Sequence, residues 1–180
     1  TAGLSGSKGS AMEGEIRVPA VMWWKGIIEN EKSDQFFFVQ DVLPTLLTAA
    51  NIKTSEADKF DGEDKWSNLL SGQIVPPKNA FVGARIMFDE RALFNDQWKL
   101  YSAKSVLFPV SASYQLFNII EDPFEKNDLA EEEPEIFNAM KKTITSYVER
   151  DVVGNMNPAH GYLSGDNEQG GVEIGSPWLD

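Results

Sequence analysis

The chain has 180 residues, which suits one domain or one domain with part of another. Hydrophobic residues make up 42% and aromatic residues 11%, so a packed core is expected and global disorder is excluded. The 16 basic and 28 acidic residues give a net charge of −12, which argues against nucleic-acid binding because phosphate backbones are repelled. The absence of cysteine excludes disulfides, thiolate zinc sites and cysteine nucleophiles from this sequence. No apolar run reaches the ~20 residues of a membrane span, and no signal-peptide pattern opens the sequence.

The first 15 residues are predicted to form a loop, since glycines and serines alternate there around a single lysine, Lys8. A continuous apolar run, Val18–Trp24, follows and predicts a short strand that is covered on both faces. The aromatic clusters Trp23-Trp24 and Phe36–Phe38 are typical of a core or of an interface with another domain. We favour the interface, because the sequence offers few elements that could cover the strand.

A helix is predicted from Asp41 to Asn51, where apolar residues recur at helical spacing. Asp41 suits the N-cap position, Pro44 is tolerated in a first turn, and Asn51 suits the end. Residues 56–77 are polar and contain Gly62, Gly72 and two prolines. This composition predicts a connector between two structural units.

An antiparallel sheet is predicted beyond the connector. The alternation in QWKLYS places Trp98 and Leu100 on one face and Lys99 on the other, which indicates a sheet with one covered face. In FNDQW, Asn95 and Asp96 are predicted to be the central pair of a hairpin turn. The strand-like runs are Ala80–Phe88, Gln97–Ser102 and Tyr114–Ile120.

A long helix is predicted to begin near Pro134 and to pack on the covered face of the sheet. Glu131 to Glu135 lie at its positive N-terminal end, and Arg150 lies near its negative end. Residues 151–180 are predicted to be an irregular tail. The apolar stripe of the helix comprises Ile136, Phe137, Met140, Ile144, Tyr147 and Val148.

Other motifs favour ordinary structural interpretations. GLSGSKGS places Lys8 before a glycine and ahead of the predicted strand, so it does not match a phosphate-binding P-loop, and a linker fits the same residues equally well. The only histidine, His160, cannot build a triad or a multi-histidine metal site by itself. The cluster Asp58–Asp64 lacks the ligand spacing of a calcium loop. Glu131–Glu133 is interpreted as a solvated helix start, and paired carboxylates for glycosidase chemistry cannot be argued in so acidic a chain.

Four segments, in this order, resemble the C-terminal third of a sulfatase of the arylsulfatase B type. KGSAMEGEIRVPAVMWW resembles the lysine loop K-[GW]-[ST]-x-x-E-G-G-x-R-x-P and the strand behind it. SDQFFFVQDVLPTLLTAANI resembles the DxxPTLLxxAGI helix, and FDGEDKWSNLLSG resembles the xDGxxxxxxLxG turn. QWKLYS and the segment from Tyr114 to Val148 resemble the closing sheet, acidic turn and helix. The resemblance covers residues 3–150, and the tail matches poorly.

The resemblance implies a fragment of mixed fold class, α+β and α/β. Residues 1–55 would be the last part of the alkaline-phosphatase-like α/β sulfatase domain, with the lysine loop, a strand and a helix. Residues 56–77 would connect this part to a C-terminal subdomain. That subdomain, residues 78–150, would be a small antiparallel sheet packed against one long C-terminal helix, followed by the irregular tail 151–180.

The resemblance also implies chemistry that this sequence holds only in part. Sulfatases use a formylglycine made from a C/S-x-P-x-R motif and a calcium ion held by Asp and Asn residues. The motif does not occur here, so formylglycine and calcium are expected in the complete enzyme and neither is expected to be bound by this chain. Lys8 matches the lysine that binds a sulfate oxygen. Glu13 and Arg17 match structural supports, whereas Met12 and Glu15 depart from the pattern, and Glu15 would strain the loop if that position required positive φ.

The leading hypothesis is the C-terminal part of a sulfatase, a sulfuric ester hydrolase, that supplies Lys8 to the active site and is inactive alone. The expected partners are the N-terminal sulfatase domain, in the same precursor or a companion chain, and a sulfate ester, with no nucleic acid or membrane. The expected localisation is secreted, periplasmic or lysosomal. One alternative is a non-catalytic binding module for sulfated glycans, although the charge of −12 opposes polyanion binding. Another is a folded fragment with no function of its own.

Overall fold

The computed structural model describes residues 2–29, 31–55, 60–85, 88–105, 107–108 and 110–150. The strands form one four-stranded antiparallel sheet in the order β1-β2-β3-β4. A short 3-10 helix, Val39–Asp41, precedes α2. The helices are α1 Glu13–Ile16, α2 Val42–Ala49, α3 Trp66–Ser71 and α4 Pro134–Arg150, and the strands are β1 Ala80–Arg85, β2 Phe88–Asn95, β3 Trp98–Ser105 and β4 Ser113–Asn118.

The sheet has one strand more than the sequence predicted. β2 was not predicted, because its first residues, FDER, interrupt the apolar pattern with charges. Asn95 pairs with Trp98, so the two residues between the strands are Asp96 and Gln97 and the predicted central pair was wrong by one position. Asp96 has φ 52°, the left-handed conformation that two-residue hairpin turns require.

Helix α4 covers one face of the sheet, as predicted. Leu93, Leu100 and Leu116 come from three neighbouring strands and contact Met140 and Ile144 of the helix. Burying these five side chains removes apolar surface from water on both elements, which is the main force that holds a helix on a sheet. Near the end of the stripe, the ring of Tyr147 stacks on Phe81 with 5.3 Å between centroids, while Val148 remains partly exposed.

The opposite face of the sheet is also covered, so the prediction of a single covered face was wrong. Phe94 and Phe117 lie on this face and form a core cluster with Ala11, against which Phe36 and Phe38 pack. The N-terminal segment and the segment before α2 therefore take the place that water was expected to occupy. As a result Lys99, predicted on the open face, is 0% exposed.

Helix α2 forms where it was predicted and ends before Asn51, which has φ 55°. Asp41 supports the entry to the helix in a different way from a simple N-cap. Its carboxylate accepts the amide hydrogens of Phe38 (2.9 Å) and of Glu63 (2.8 Å), so it ties the 3-10 helix to the connector. The buried residues of α2 are Pro44 and Thr45, not the apolar stripe.

The connector is more ordered than its polar composition indicated, because it contains α3. A Cβ atom on Gly62 would collide with the backbone of Gln40 and Asp41, so glycine permits this close approach. Gly72 closes α3 with φ 69°, the left-handed conformation common after a helix.

The run Val18–Trp24 forms no strand, and the prediction of a strand buried on both faces was wrong for this chain. Val18 is 75% exposed, Val21 94% and Trp23 80%. Within the described residues no strand lies beside this run, so its backbone has no ladder to join. Trp24 contacts Trp66 of α3 with 5.7 Å between ring centroids, which holds one end of the run against the connector.

The tail 151–180, including His160, lies outside the described residues. Over the part of the chain that the structure describes, no helix has both the length and the apolar character needed to cross a membrane.

Candidate functional site

Lys8 lies on a glycine-rich loop, residues 3–12, which we call the lysine loop. Gly3, Gly6 and Gly9 have φ of 85°, 86° and 95°, a region that side chains with a Cβ atom rarely adopt. The Ser10 amide donates to the Ser7 carbonyl oxygen at 3.1 Å and closes a turn around Lys8. The side chain of Lys8 is exposed, and no carboxylate among the described residues forms an ion pair with it.

Hydrogen bonds to distant segments hold the lysine loop at several points. The Ser5 hydroxyl donates to the Phe124 carbonyl oxygen at 2.6 Å. The Ala11 amide donates to Oε2 of Glu90 on β2 at 2.9 Å. These contacts fix both sides of the turn that carries Lys8, although the loop has little regular secondary structure.

Gly14 closes the base of the loop. Its amide donates to the Ser5 carbonyl oxygen at 2.6 Å, and a Cβ atom there would lie 2.5 Å from the same oxygen. The next residue, Glu15, belongs to the helical turn α1 and does not have positive φ. The expected strain at Glu15 is therefore absent. Of the two glycines in the E-G-G pattern, the first, which is Gly14 here, is the one that packing requires.

Glu13 and Arg17 form an ion pair at the base of the lysine loop. Glu13 is 2% exposed, and its carboxylate accepts a hydrogen bond from Nε of Arg17. The other carboxylate oxygen, Oε1, lies 2.9 Å from Nζ of Lys99. Lys99 Nζ also lies 2.7 Å from Oε1 of Glu125, and the Glu13 amide donates to Oε2 of Glu125 at 2.8 Å. Two cations and two carboxylates therefore meet under the lysine loop.

Tyr101 and Glu90 form a second polar contact on the same face of the sheet. Burial, and next the hydrogen bond to Glu90, raise the pKa of the Tyr101 hydroxyl far above its ordinary value. The hydroxyl therefore stays protonated and can donate to Glu90, which already accepts the Ala11 amide. Ser10 of the lysine loop also hydrogen-bonds Tyr101.

Glu125 is the most perturbed carboxyl of the group. Burial raises its pKa, while Lys99 beside it acts in the opposite direction. Its backbone has φ 52°, which is rare for a residue with a Cβ atom. The chain thus places this side chain under the loop at a cost in backbone conformation.

Sequence reasoning named Lys8, Glu13 and Arg17 from one segment, and their roles stay predictions; it did not name Lys99, Glu90 and Glu125, which the fold brings next to that segment. Lys99 was assigned to an open face because nothing in QWKLYS shows that an N-terminal segment covers it. The signal that could have found it is a lysine between buried positions of a central strand, where an unpaired charge would be costly.

The described residues do not fit the cofactors that the resemblance implies. Within residues 2–29, 31–55, 60–85, 88–105, 107–108 and 110–150, no group of three or more His, Asp or Glu side chains could hold a metal ion. The carboxylates under the loop are occupied by Lys99, Arg17 and backbone amides. What the arrangement offers chemically is one uncompensated cation on a supported loop, which can bind an anionic oxygen.

Comparison with known proteins connects this loop to one family. Residues 1–52 match the model of the Sulfatase family. An uncharacterized sulfatase of Schizosaccharomyces pombe is 30% identical over 144 residues, which are 74% of this chain and 25% of the yeast protein. Arylsulfatase K of Bos taurus is 26% identical over 154 residues, 78% of this chain and 27% of that protein.

A solved structure shows the same similarity in three dimensions. The crystal structure of Ps i-CgsB superimposes with a TM-score of 0.65 and 25% identity, over 80% of this chain and 31% of that one. The chain spans about a quarter of the length of the two curated relatives. Residues 1–52, which carry Lys8, match the Sulfatase family model, and the chain is similar in sequence to sulfatases over about three quarters of its length.

Proposed function

We propose that this chain is the C-terminal part of a sulfatase, a hydrolase of sulfuric esters, and that Lys8 binds a sulfate oxygen in its active site. The observation that carries the proposal is the state of Lys8. It is exposed, lies within a turn between Gly6 and Gly9, and has no carboxylate partner among the described residues. The two lysines that are buried among the described residues, Lys99 and Lys65, are instead paired with carboxylates.

A lysine in this state suits an anionic ligand. An ammonium on a flexible stem is a compact charge that can neutralise the oxygens of a sulfate, and the negative charge that develops when its ester bond breaks. The nearby glycines leave room for a ligand to approach the backbone closely. The proposed substrate class is a sulfate ester, and we propose a preference among such esters like that of arylsulfatase B.

The nucleophile and the calcium ligands would lie outside this chain, in an N-terminal sulfatase domain of the same precursor or a companion chain. The exposed run Val18–Trp24 supports this partner. Three large apolar side chains, Val18, Val21 and Trp23, are at least 75% exposed, and such patches mark interaction surfaces. Residues 1–55 would then complete the alkaline-phosphatase-like domain, in a secreted, periplasmic or lysosomal protein.

The test is the Lys8→Ala variant in the complete protein, with the rest of the sulfatase present and an aryl sulfate as substrate. Loss of one charge-stabilising group at a reacting centre typically lowers kcat about 10²–10³-fold. Lys142→Ala is the matched control, since Lys142 is an exposed lysine on α4, on the opposite face of the sheet. Activity of Lys8→Ala close to that of Lys142→Ala, with equal thermal stability, would remove Lys8 from the site.

A further inference from the structure

The lysine loop is attached to the sheet by a repeated arrangement. The amide of Ala11, in the loop, and that of Glu13, the first residue of α1 directly after it, each donate to a carboxylate from a distant part of the chain. The Ala11 amide donates to Glu90 at 2.9 Å, and the Glu13 amide donates to Glu125 at 2.8 Å. Hydrogen bonds to charged acceptors are shorter and stronger than neutral ones, so these two bonds define where the loop lies.

A reciprocal ion pair completes the attachment. The Glu13 amide donates a hydrogen bond to the Glu125 carboxylate. Lys99 Nζ lies between the two carboxylates, 2.9 Å from that of Glu13 and 2.7 Å from that of Glu125. Side-chain exposure is 3% for Glu13 and 0% for Lys99 and Glu125. A buried ion cluster of this kind adds little to stability compared with apolar packing. It does restrict the position of its members, because any displacement would leave a buried charge unpaired.

The backbone at Glu125 supports a role beyond packing. Its φ of 52° lies in the left-handed region, where glycine or asparagine is usual. The carbonyl oxygen of the preceding residue, Phe124, accepts the Ser5 hydroxyl at 2.6 Å. One unusual turn therefore supplies two acceptors, a carbonyl and a carboxylate, to the two sides of the lysine loop.

We propose that Glu13, Lys99 and Glu125 form a positioning cluster that fixes the lysine loop on the sheet and so sets the place of Lys8. The consequence for catalysis rests on the proposed function of Lys8. None of the three residues is free to touch a substrate, because all three are buried and paired with one another. They act through the loop, and the positioning cluster is distinct from a general stabilising core such as Leu93, Leu100 and Leu116.

The experiment uses Glu125→Gln in the complete protein and measures two quantities. The first is amide hydrogen exchange over residues 5–14, which reports on the loop whether or not Lys8 binds sulfate. The second is kcat and KM for an aryl sulfate. We expect exchange in this segment at least tenfold faster, exchange in β3 and α4 unchanged, and a fall in kcat/KM of at least tenfold.

The matched control is Glu63→Gln, which removes the carboxylate that contacts Lys65 at 2.5 Å, away from the lysine loop. It should leave exchange at 5–14 and turnover unchanged. Glu13→Gln is the milder second variant, because it removes one charge and keeps the amide that Glu125 accepts. Exchange over residues 5–14 should also be faster in Glu13→Gln. This variant tests the proposal if Glu125→Gln does not fold.

The outcomes separate the two proposals. Unchanged exchange over residues 5–14 in a folded Glu125→Gln variant, or in Glu13→Gln, would overturn the positioning cluster. Faster exchange with full turnover would support the cluster as the attachment of the loop and would overturn its effect on catalysis, while Lys8→Ala decides separately whether Lys8 belongs to the site. The expected result is faster exchange over residues 5–14 together with a tenfold loss of kcat/KM. The control Glu63→Gln should show neither change.

Discussion

Lys99 and Glu13 form a buried ion pair, with 2.9 Å between Nζ and Oε1, although they are 86 positions apart in the chain. Lys99 lies on β3, one of the two inner strands of the sheet, and Glu13 begins the short helix after the lysine loop. The pair therefore joins the N-terminal segment, which matches the Sulfatase family, to the sheet that lies beyond the matched residues. Packing of Ala11, Phe36 and Phe38 on the same face makes this join a continuous core.

Lys99→Ala should destabilise the chain strongly. Removing one partner of a buried ion pair leaves uncompensated charge, which typically costs about 3–5 kcal/mol, and here two carboxylates lose their cation. The exposed Lys104 on the same strand is the control, and Lys104→Ala should change the free energy of unfolding by about 0.5 kcal/mol or less. Urea unfolding measures both, and equal effects would contradict a structural role for the buried pair.

Gly14→Ala should be far more harmful than Glu15→Ala. A methyl group at Gly14 would lie 2.5 Å from the Ser5 carbonyl oxygen and 2.8 Å from that of Leu4, so backbone must move, at a cost of about 1–3 kcal/mol. Glu15 lies in α1 and is only half-buried, so its truncation should cost about 0.5 kcal/mol or less. Denaturant unfolding of the two variants tests this order, and a reversed order would contradict the close backbone packing at Gly14.

How much of this could be predicted from the sequence differs between elements. Helices α2 and α4 were predicted because their apolar periodicity and their start and end signals are local. The prediction of a strand at Val18–Trp24 was wrong. A continuous apolar run indicates that a segment is buried against other elements, but it does not identify those elements. A strand also needs a neighbour, and none lies beside this run among the described residues.

The candidate site shows the same division. Lys8, Glu13 and Arg17 are close in sequence, so one motif could name them. Lys99 and Glu125 reach the site only through tertiary structure, from a strand and from a turn with left-handed backbone. Their contacts with Glu13 span 86 and 112 positions, a distance at which periodicity carries no information.

Stability should depend on pH through Glu125. Burial raises its pKa above the ordinary value of 4.5, against the influence of Lys99; Glu13, Arg17 and Tyr101 are the other charged or titratable groups nearby. A raised pKa means that the folded state binds the proton more tightly than the unfolded state. Its contribution to stability is therefore complete below about pH 4.5 and is lost as the pH rises through the raised pKa.

The measurement is urea unfolding from pH 4 to pH 8 for the parent chain and for Glu125→Gln. The parent should lose stability relative to the variant as the pH rises across this range, since glutamine does not titrate. A parent that instead gains stability relative to the variant as the pH rises would show a lowered pKa and would contradict the assigned cause.

Trp23 should be accessible in this chain alone and protected in the complete protein. It is 80% exposed here, beside Val21 at 94% and Val18 at 75%, and a patch of this kind normally has a partner. Hydroxyl-radical footprinting of Trp23 in both forms gives the comparison, with the buried Phe117 as an internal control that should not change. Equal modification of Trp23 in the two forms would exclude the apolar run from the domain interface.

The isolated chain should not hydrolyse an aryl sulfate, even with calcium added. It contains no cysteine and no C/S-x-P-x-R motif, so it cannot form the expected nucleophile. The part of the chain that the structure describes offers no cluster of three metal-ligating side chains, so added calcium has no site there to polarise the ester. Lys8 alone can bind a sulfate oxygen, but an ammonium group has no lone pair with which to attack sulfur. Release of the phenol is followed by absorbance, with the complete protein assayed in parallel. Turnover by the purified isolated chain would mean that a nucleophile lies within these 180 residues, and the division of the active site proposed here would be wrong.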